Sequence, residues 1–282
     1  MSDLSMGIDT EKKLSVSFHR TFPLNRESVR IILELAIKCS DSGQLLTNKI
    51  ISEETSLGSV YVEAMPKYTF GSGLITSNRK PTQFGQCVHE YDSGLIHPMT
   101  HWLMHYYLSS RNSPGPEFWY LLVQEFFVPD RTFSDDDVLN YLCAKIPNLK
   151  KDTLSEAKTV FLNTYLQTDG FGYLNLLNKD GGNYLVNYPE PASIWVMGVA
   201  LLEYWQACFP GQRMINLHDI IGESEFARIF MVGTRSINRM LAALQEIGYI
   251  DLFTAAPPYG VALLRNDLLH LLERMYTSNE ID

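Results

Sequence analysis

The chain has 282 residues, 45% of them hydrophobic, and a formal net charge of −9. That is enough apolar mass for one elaborate domain or two. The acidic balance excludes a surface coated with phosphate contacts, so any nucleic-acid site must be a local patch.

No run reaches the ~20 apolar residues of a bilayer span, and no membrane role is expected. The polar opening MSDLSMGIDTEKKLS lacks the apolar core of a signal peptide, and residues 1–16 read as a mobile tail. Cys39, Cys87, Cys143 and Cys208 are widely spaced without a CxxC pair. They fit small buried side chains in a reducing cytoplasm better than a zinc knuckle.

In chain order, Val29, Ile32, Leu33, Ala36 and Ile37 predict a helix over 26–37. A second helix is expected near 47–55, a turn at Leu57-Gly58, and a third helix over 59–70. Pro66 should break or kink that third helix. Gly71 to Ile75 reads as a turn into a short strand, so residues 17–95 form a helix-turn-helix-like domain. Residues 76–95 are expected as a loop.

A central helical domain follows over 96–212. His97-Pro98 opens an apolar helix through Leu108, and residues 112–116 break the chain. An aromatic helix runs over 117–128. Ser134 and the three aspartates after it start another helix. Further helices are expected over 154–166 and 191–209, with a loop or hairpin over 169–189. Residues 213–282 read as a winged-helix domain. It has a helix over 223–230, then a helix capped by Thr234 that buries Ile237, Leu241, Leu244 and Ile247. Gly248 closes that helix, and two strands, 249–253 and 260–264, form a wing. The fold class is therefore mainly α.

The helix from Thr234 carries Arg235, Asn238, Arg239 and Ala242 opposite its buried stripe. Arg and Asn reach guanine and adenine edges in the major groove, and a recognition helix presents its N-terminal residues. The plain alternative is a helix used for packing or protein contact. On the third helix only Lys67 is basic, which favours packing there. His97, His101 and His105 recur every fourth residue, but their apolar neighbours favour structural histidines over metal ligands. Phe118, Trp119, Tyr120, Phe126 and Phe127 have the spacing of core rather than of a base-stacking platform. His19, Arg20 and Arg26 bracket a polar-aromatic cluster before the first helix that suits phosphate binding or acid-base work, or alternatively a hydrophobic anchor. No GxxxxGK[ST], GxGxxG or GxSxG occurs, so nucleotide hydrolysis, dinucleotide chemistry and the α/β-hydrolase mechanism lack support.

Several segments together resemble one bacterial family of unknown-function domains. It is encoded beside phosphoadenosine-phosphosulfate-reductase-like proteins in DNA phosphorothioation and antiphage operons, and includes the SspB-type nicking subunit. That family opens with His-Glu-Thr-Phe-Pro-Leu-Arg, similar to His19-Arg20-Thr21-Phe22-Pro23-Leu24-Asn25. A turn and helix ending in Gly-Leu-Ile resemble Gly58 through Gly73-Leu74-Ile75. Leu-Trp-Leu-Leu-His resembles His101-Trp102-Leu103-Met104-His105, and a Trp-Tyr helix ending in Glu-Phe resembles Phe118 through Phe126. The apolar helix at Trp195–Trp205 and the C-terminal module follow in the same order. The resemblance covers about residues 17–276 and rests on order and spacing. Three departures stand out: Arg20 replaces a Glu, Asn25 an Arg, and Ser59, Val60 and Glu63 the family's Lys-Asn and Arg.

The resemblance implies a DNA-associated subunit that binds double-stranded DNA, with Arg26 of its motif as a contact; helix geometry adds Arg235, Asn238 and Arg239. Its partners would be the reductase-like sulfur-activating protein, an ATPase and a cysteine desulfurase. If it nicks DNA, His19, Arg20 and Thr21 are the catalytic candidates and Mg²⁺ or Mn²⁺ the cofactor, although no metal ligands are discernible. The alternatives are a non-enzymatic adaptor for those subunits and, more remotely, a transcriptional regulator, for which no dimerising heptad is evident.

Overall fold

A computed structural model describes residues 13–190, 192–221 and 224–278. The described residues are mainly helical, with two small antiparallel sheets. The chain divides into two units, Met1–Pro189 and Glu190–Asp282. The expected boundary at 95/96 thus falls inside the first unit, and that at 212/213 inside the second. Most of the expected tail lies outside the described residues, but the backbone N–H of Leu14 donates to the Pro114 carbonyl at 2.9 Å.

The first unit begins with α1 (Arg26–Asp41), capped by the Asn25 side chain, which accepts from Ser28 N–H at 2.8 Å. Its stripe of Val29, Ile32, Leu33 and Ala36 is buried. The helix packs on α3 (Ser59–Gly71), as does the short α2 (Asn48–Glu54). Pro66 sits inside α3, and the helix continues through it to Gly71. Burial of Met65, Tyr68, Thr69 and Phe70 outweighs the hydrogen bond the ring cannot donate. The strand expected after α3 is reduced to one bridge, Ile75 with Pro81.

The loop expected over 76–95 contains a helix, α4 (Gln83–Tyr91), which packs on α1. Thr82 caps it by accepting from Gly85 N–H at 2.9 Å. Its buried residues, Phe84, Gly85, Cys87 and Val88, form one narrow face. Gly85 is there because a Cβ would lie 2.0 Å from the Leu74 carbonyl oxygen.

Next, α5 (Pro98–Ser109) is capped by His97 and is buried along nearly its whole length. The aromatic helix is α6 (Glu117–Leu121), which widens into a π-helical turn, Leu122–Phe126. Strand β1 (Thr132–Ser134) leads into α7 (Asp135–Lys145) through a Ser134–Asp137 capping box. Then come α8 (Lys151–Leu166) and the hairpin β2 (Leu177–Asp180) and β3 (Asn183–Val186). The sheet order is β1-β3-β2, with Phe133 paired to Tyr184 and their rings stacked at 5.3 Å.

The centre of this unit is aromatic. Trp119 Nε1–H donates to the Tyr165 hydroxyl at 3.0 Å, and that oxygen lies 2.7 Å from His105 Nδ1. Phe161 packs against Trp119 and Tyr165, at 5.1 and 4.8 Å between centroids. The polar atoms of these rings are satisfied by one another, which is what makes their complete burial favourable.

The second unit opens with α9 (Ile194–Cys208), which packs on α11 (Thr234–Glu246) and α12 (Leu268–Thr277). Strand β4 (Met214–Asn216) and a 3₁₀ turn precede α10 (Glu225–Phe230); the expected start at Glu223 lies outside the described residues. Helix α11 (Thr234–Glu246) buries Ile237, Met240, Leu241 and Leu244, and its cap position is Gly233 rather than Thr234. Ile247, expected in that buried stripe, is the residue just past the helix and only half-buried. Gly248 then takes φ +76°, and the Tyr249 N–H returns to the Leu244 carbonyl at 2.9 Å. Strands β5 (Ile250–Phe253) and β6 (Gly260–Leu263) pair antiparallel, with β4 on the other edge of β6. A last amphipathic helix, α12 (Leu268–Thr277), was not expected; it buries Leu268, Leu271, Leu272 and Met275.

Candidate functional site

The segment before α1 is a tight loop with two consecutive left-handed residues, Arg20 at φ +48° and Thr21 at φ +69°. That conformation costs a non-glycine residue about 1–3 kcal/mol, so neighbours must hold it. Phe22 N–H donates to the His19 carbonyl at 3.0 Å, and Tyr68 from α3 donates to the Phe22 carbonyl at 2.9 Å. Leu24 N–H donates to Thr164 Oγ1 from α8 at 3.1 Å, and Arg26 N–H to the Asp169 carbonyl at 2.6 Å. Phe18 packs edge-on to Tyr68 at 4.7 Å.

This places His19 in the core, 1% exposed. Its Nδ1 accepts from Thr21 N–H at 3.0 Å, so the ring proton is assigned to Nε2, which is buried and completes no hydrogen bond of good geometry. Burial pushes the His19 pKa down to about 4, against a partial lift from the Val16 backbone. The imidazole is therefore neutral near pH 7 and faces rings such as Phe118, 6.2 Å away, rather than solvent.

Arg20 points outward and pairs with Glu63 of α3 at 2.8 Å, both side chains about half exposed. The ion pair thus joins two of the positions at which the sequence departs from the pattern it resembles. Thr21 lines a cavity of about 320 Å³ with Asp152, Glu156, Ser155 and Thr159 of α8. Arg26 is held 5.4 Å over the Tyr173 ring.

The three spaced histidines are structural. His97 caps α5, His101 Nε2 lies 2.7 Å from the Leu95 carbonyl, and His105 bonds Tyr165. Among the described residues no group of three or more His, Cys, Asp or Glu is arranged to hold a metal ion.

In the second unit Arg235, Asn238, Arg239 and Ala242 are all exposed along α11, opposite its buried stripe. They share one helix face, whereas His19, Arg20, Thr21 and Arg26, though near in sequence, meet different surroundings.

One arrangement escaped the sequence. A cavity of about 370 Å³ in the first unit is lined by Lys13, Lys67 and Arg79 together with Phe18, Pro66 and Phe70. Lys67 was visible only as the lone cation of its helix. Arg79 lay in the expected loop, where the adjacent pair Arg79-Lys80 was the one available signal.

No curated protein matches this chain. Two solved structures do: a crystal structure of SspB and a magnesium ion-bound crystal structure of SspB, each at 16% identity and TM-score 0.74, covering 95% of this chain and 89% of theirs. At that identity the likeness establishes a shared fold. The family model for proteins of unknown function DUF4007 matches residues 18–267, and the chain belongs to that family.

Proposed function

We propose that the chain is a DNA-associated component of a bacterial DNA phosphorothioation and antiphage system, contacting double-stranded DNA through the exposed face of α11. One observation carries the reading: two Arg and an Asn share the solvent face of a helix that is buried on its other side and followed by a hairpin. Helix, helix, hairpin is the order of a winged helix, whose second helix enters the major groove. Arg and Asn match guanine and adenine edges there. The DUF4007 match and the SspB fold support the setting. Its partners are a phosphoadenosine-phosphosulfate-reductase-like sulfur-activating protein, an ATPase and a cysteine desulfurase.

Strand nicking is the finer part of this reading. Magnesium accompanies one SspB structure, but the residues near the His19 loop do not fit a divalent-cation centre. The Thr21 cavity offers two carboxylates, Asp152 and Glu156, and His19 is turned into the core. No metal-assisted step is assigned. A catalytic role for His19 requires the loop to open.

The test is duplex binding across a salt titration. For each phosphate that Arg235→Ala/Arg239→Ala no longer neutralises, the slope of log K against log salt should flatten by about 0.9. Equal affinity and slope in wild type and double variant would remove this face. Supercoiled-plasmid relaxation with Mg²⁺ or Mn²⁺ and an EDTA control addresses nicking: open circles that vanish in His19→Ala support it. Intact supercoils in every condition, with no DNA binding, leave the adaptor reading, which the acidic surface favours.

A further inference from the structure

The cavity of about 370 Å³ between the segment at 13–18, α3 and the turn at 76–79 is chemically lopsided. Its walls carry Lys13, Lys67 and Arg79, with the hydroxyls of Ser15, Thr76 and Ser77, and no carboxylate among the described residues. In a chain with 32 acidic and 23 basic side chains, three cations gathered without an acid are unexpected by composition alone. The rest of the lining is apolar: Leu14, Phe18, Pro66 and Phe70.

Arg79 is the informative residue. It is half-buried, and burial weakens its hold on its proton. Its guanidinium makes one long contact, 3.5 Å to the Leu46 carbonyl, and no carboxylate among the described residues lies within ion-pair distance of it or of Lys67. A partly desolvated cation with no counter-charge among the described residues costs free energy that a bound anion would return. Arg79 is also left-handed, at φ +59°, in a tight turn closed by its N–H to the Thr76 carbonyl at 2.8 Å and by Lys80 N–H to Thr76 Oγ1 at 3.1 Å. Backbone strain at a non-glycine residue needs such a frame to persist. Lys13 is tied at the rim through the carbonyls of Arg111 and Ser113, so it supplies charge while Lys67 and Arg79 are left to bind.

We propose that this cavity binds a phosphorylated nucleoside, with the phosphate between Lys67 and Arg79 and the base against the apolar wall of Pro66 and Phe70. A forked guanidinium beside an ammonium is a phosphate-binding pair. The volume lies within the range of roughly 300–1,000 Å³ usual for small-ligand sites and is far too small for a duplex. The ligand is therefore a free mononucleotide or one nucleotide at the end of a strand. The site is separate from α11 and does not depend on duplex binding there.

The experiment is calorimetric titration of the full chain, at one fixed low salt concentration, with thymidine 5′-monophosphate, thymidine, and a short oligothymidylate with and without a 5′-phosphate. The monophosphate should bind at least tenfold tighter than thymidine. Lys67→Ala and Arg79→Ala should each weaken it at least tenfold while keeping wild-type circular dichroism. If Arg79→Ala does not fold, Lys67→Ala decides alone. A 5′-phosphorylated oligonucleotide binding tighter than the monophosphate identifies a strand end as the source, and equal affinity a free nucleotide. Thymidine binding as well as its monophosphate, no binding of either phosphorylated ligand, or unchanged affinity in folded Lys67→Ala would each overturn the proposal. Loss of duplex binding in Arg235→Ala/Arg239→Ala with monophosphate binding intact would separate the two sites.

Discussion

Glu203→Gln should stabilise the second unit at pH 8 and have much less effect at pH 5. Helix α9 is buried on almost every side, and Glu203 is the one acidic residue in it. The residue as a whole is half-buried, but Oε1 is buried and has no hydrogen-bond partner among the described residues. Burial raises the pKa from the ordinary 4.5 to about 7. The folded state therefore prefers the protonated acid. Stability from this group is full below about pH 4.5 and is lost as pH rises through about 7. Linkage over that shift gives about 2.5 kcal/mol of lost stability between pH 5 and pH 8, and the partial exposure of the residue reduces this to roughly 1–2 kcal/mol. Gln has no charge to bury, so the variant should lack this slope. Thermal melts of both proteins at several pH values measure it, because the difference between them cancels every other titrating group. For a unit of this size 1 kcal/mol is roughly 4–8 °C. A stability difference that stays the same from pH 5 to pH 8, or a variant less stable than wild type at pH 8, would refute the reasoning.

Two further substitutions test the packing of the first unit. Gly85→Ala sets a methyl against the Leu74 carbonyl, 2.0 Å away, and should cost roughly 3 kcal/mol in chemical denaturation, whereas Gly58→Ala, which meets nothing within 4 Å, should be nearly neutral. Tyr165→Phe removes the acceptor for Trp119 Nε1–H and a partner of His105; it should lower stability by about 2 kcal/mol and shift the tryptophan emission, and an unchanged denaturation midpoint would show that the network adds nothing.

The helices with a clean stripe were legible. α1 and α11 bury residues at helical spacing, and an Asn or Gly marks an end of each. α4 was not, for a local reason: Gly85 argues against a helix in isolation, and it is present because the helix passes so close to Leu74. Pro66 misled in the same way, since the packing that carries α3 through it comes from distant segments. α12 was not expected, although its stripe of Leu268, Leu271, Leu272 and Met275 is regular and Asp267 caps it, so the local signal was present. At the candidate sites, the α11 face followed from periodicity alone. The burial of His19 did not, because Tyr68, Phe118 and Thr164 come from three separate helices. The pocket at Lys67 and Arg79 joins three segments that no local pattern connects.

The Arg20–Glu63 pair ties the turn before α1 to α3. Arg20→Glu alone would set two carboxylates face to face beside a strained turn, and Glu63→Arg alone would do the same with two guanidiniums. Either single exchange meets repulsion where there was attraction, whereas the double exchange restores opposite charges. Charge reversal here is therefore best tolerated when both positions change together, although they lie on separate segments of the chain.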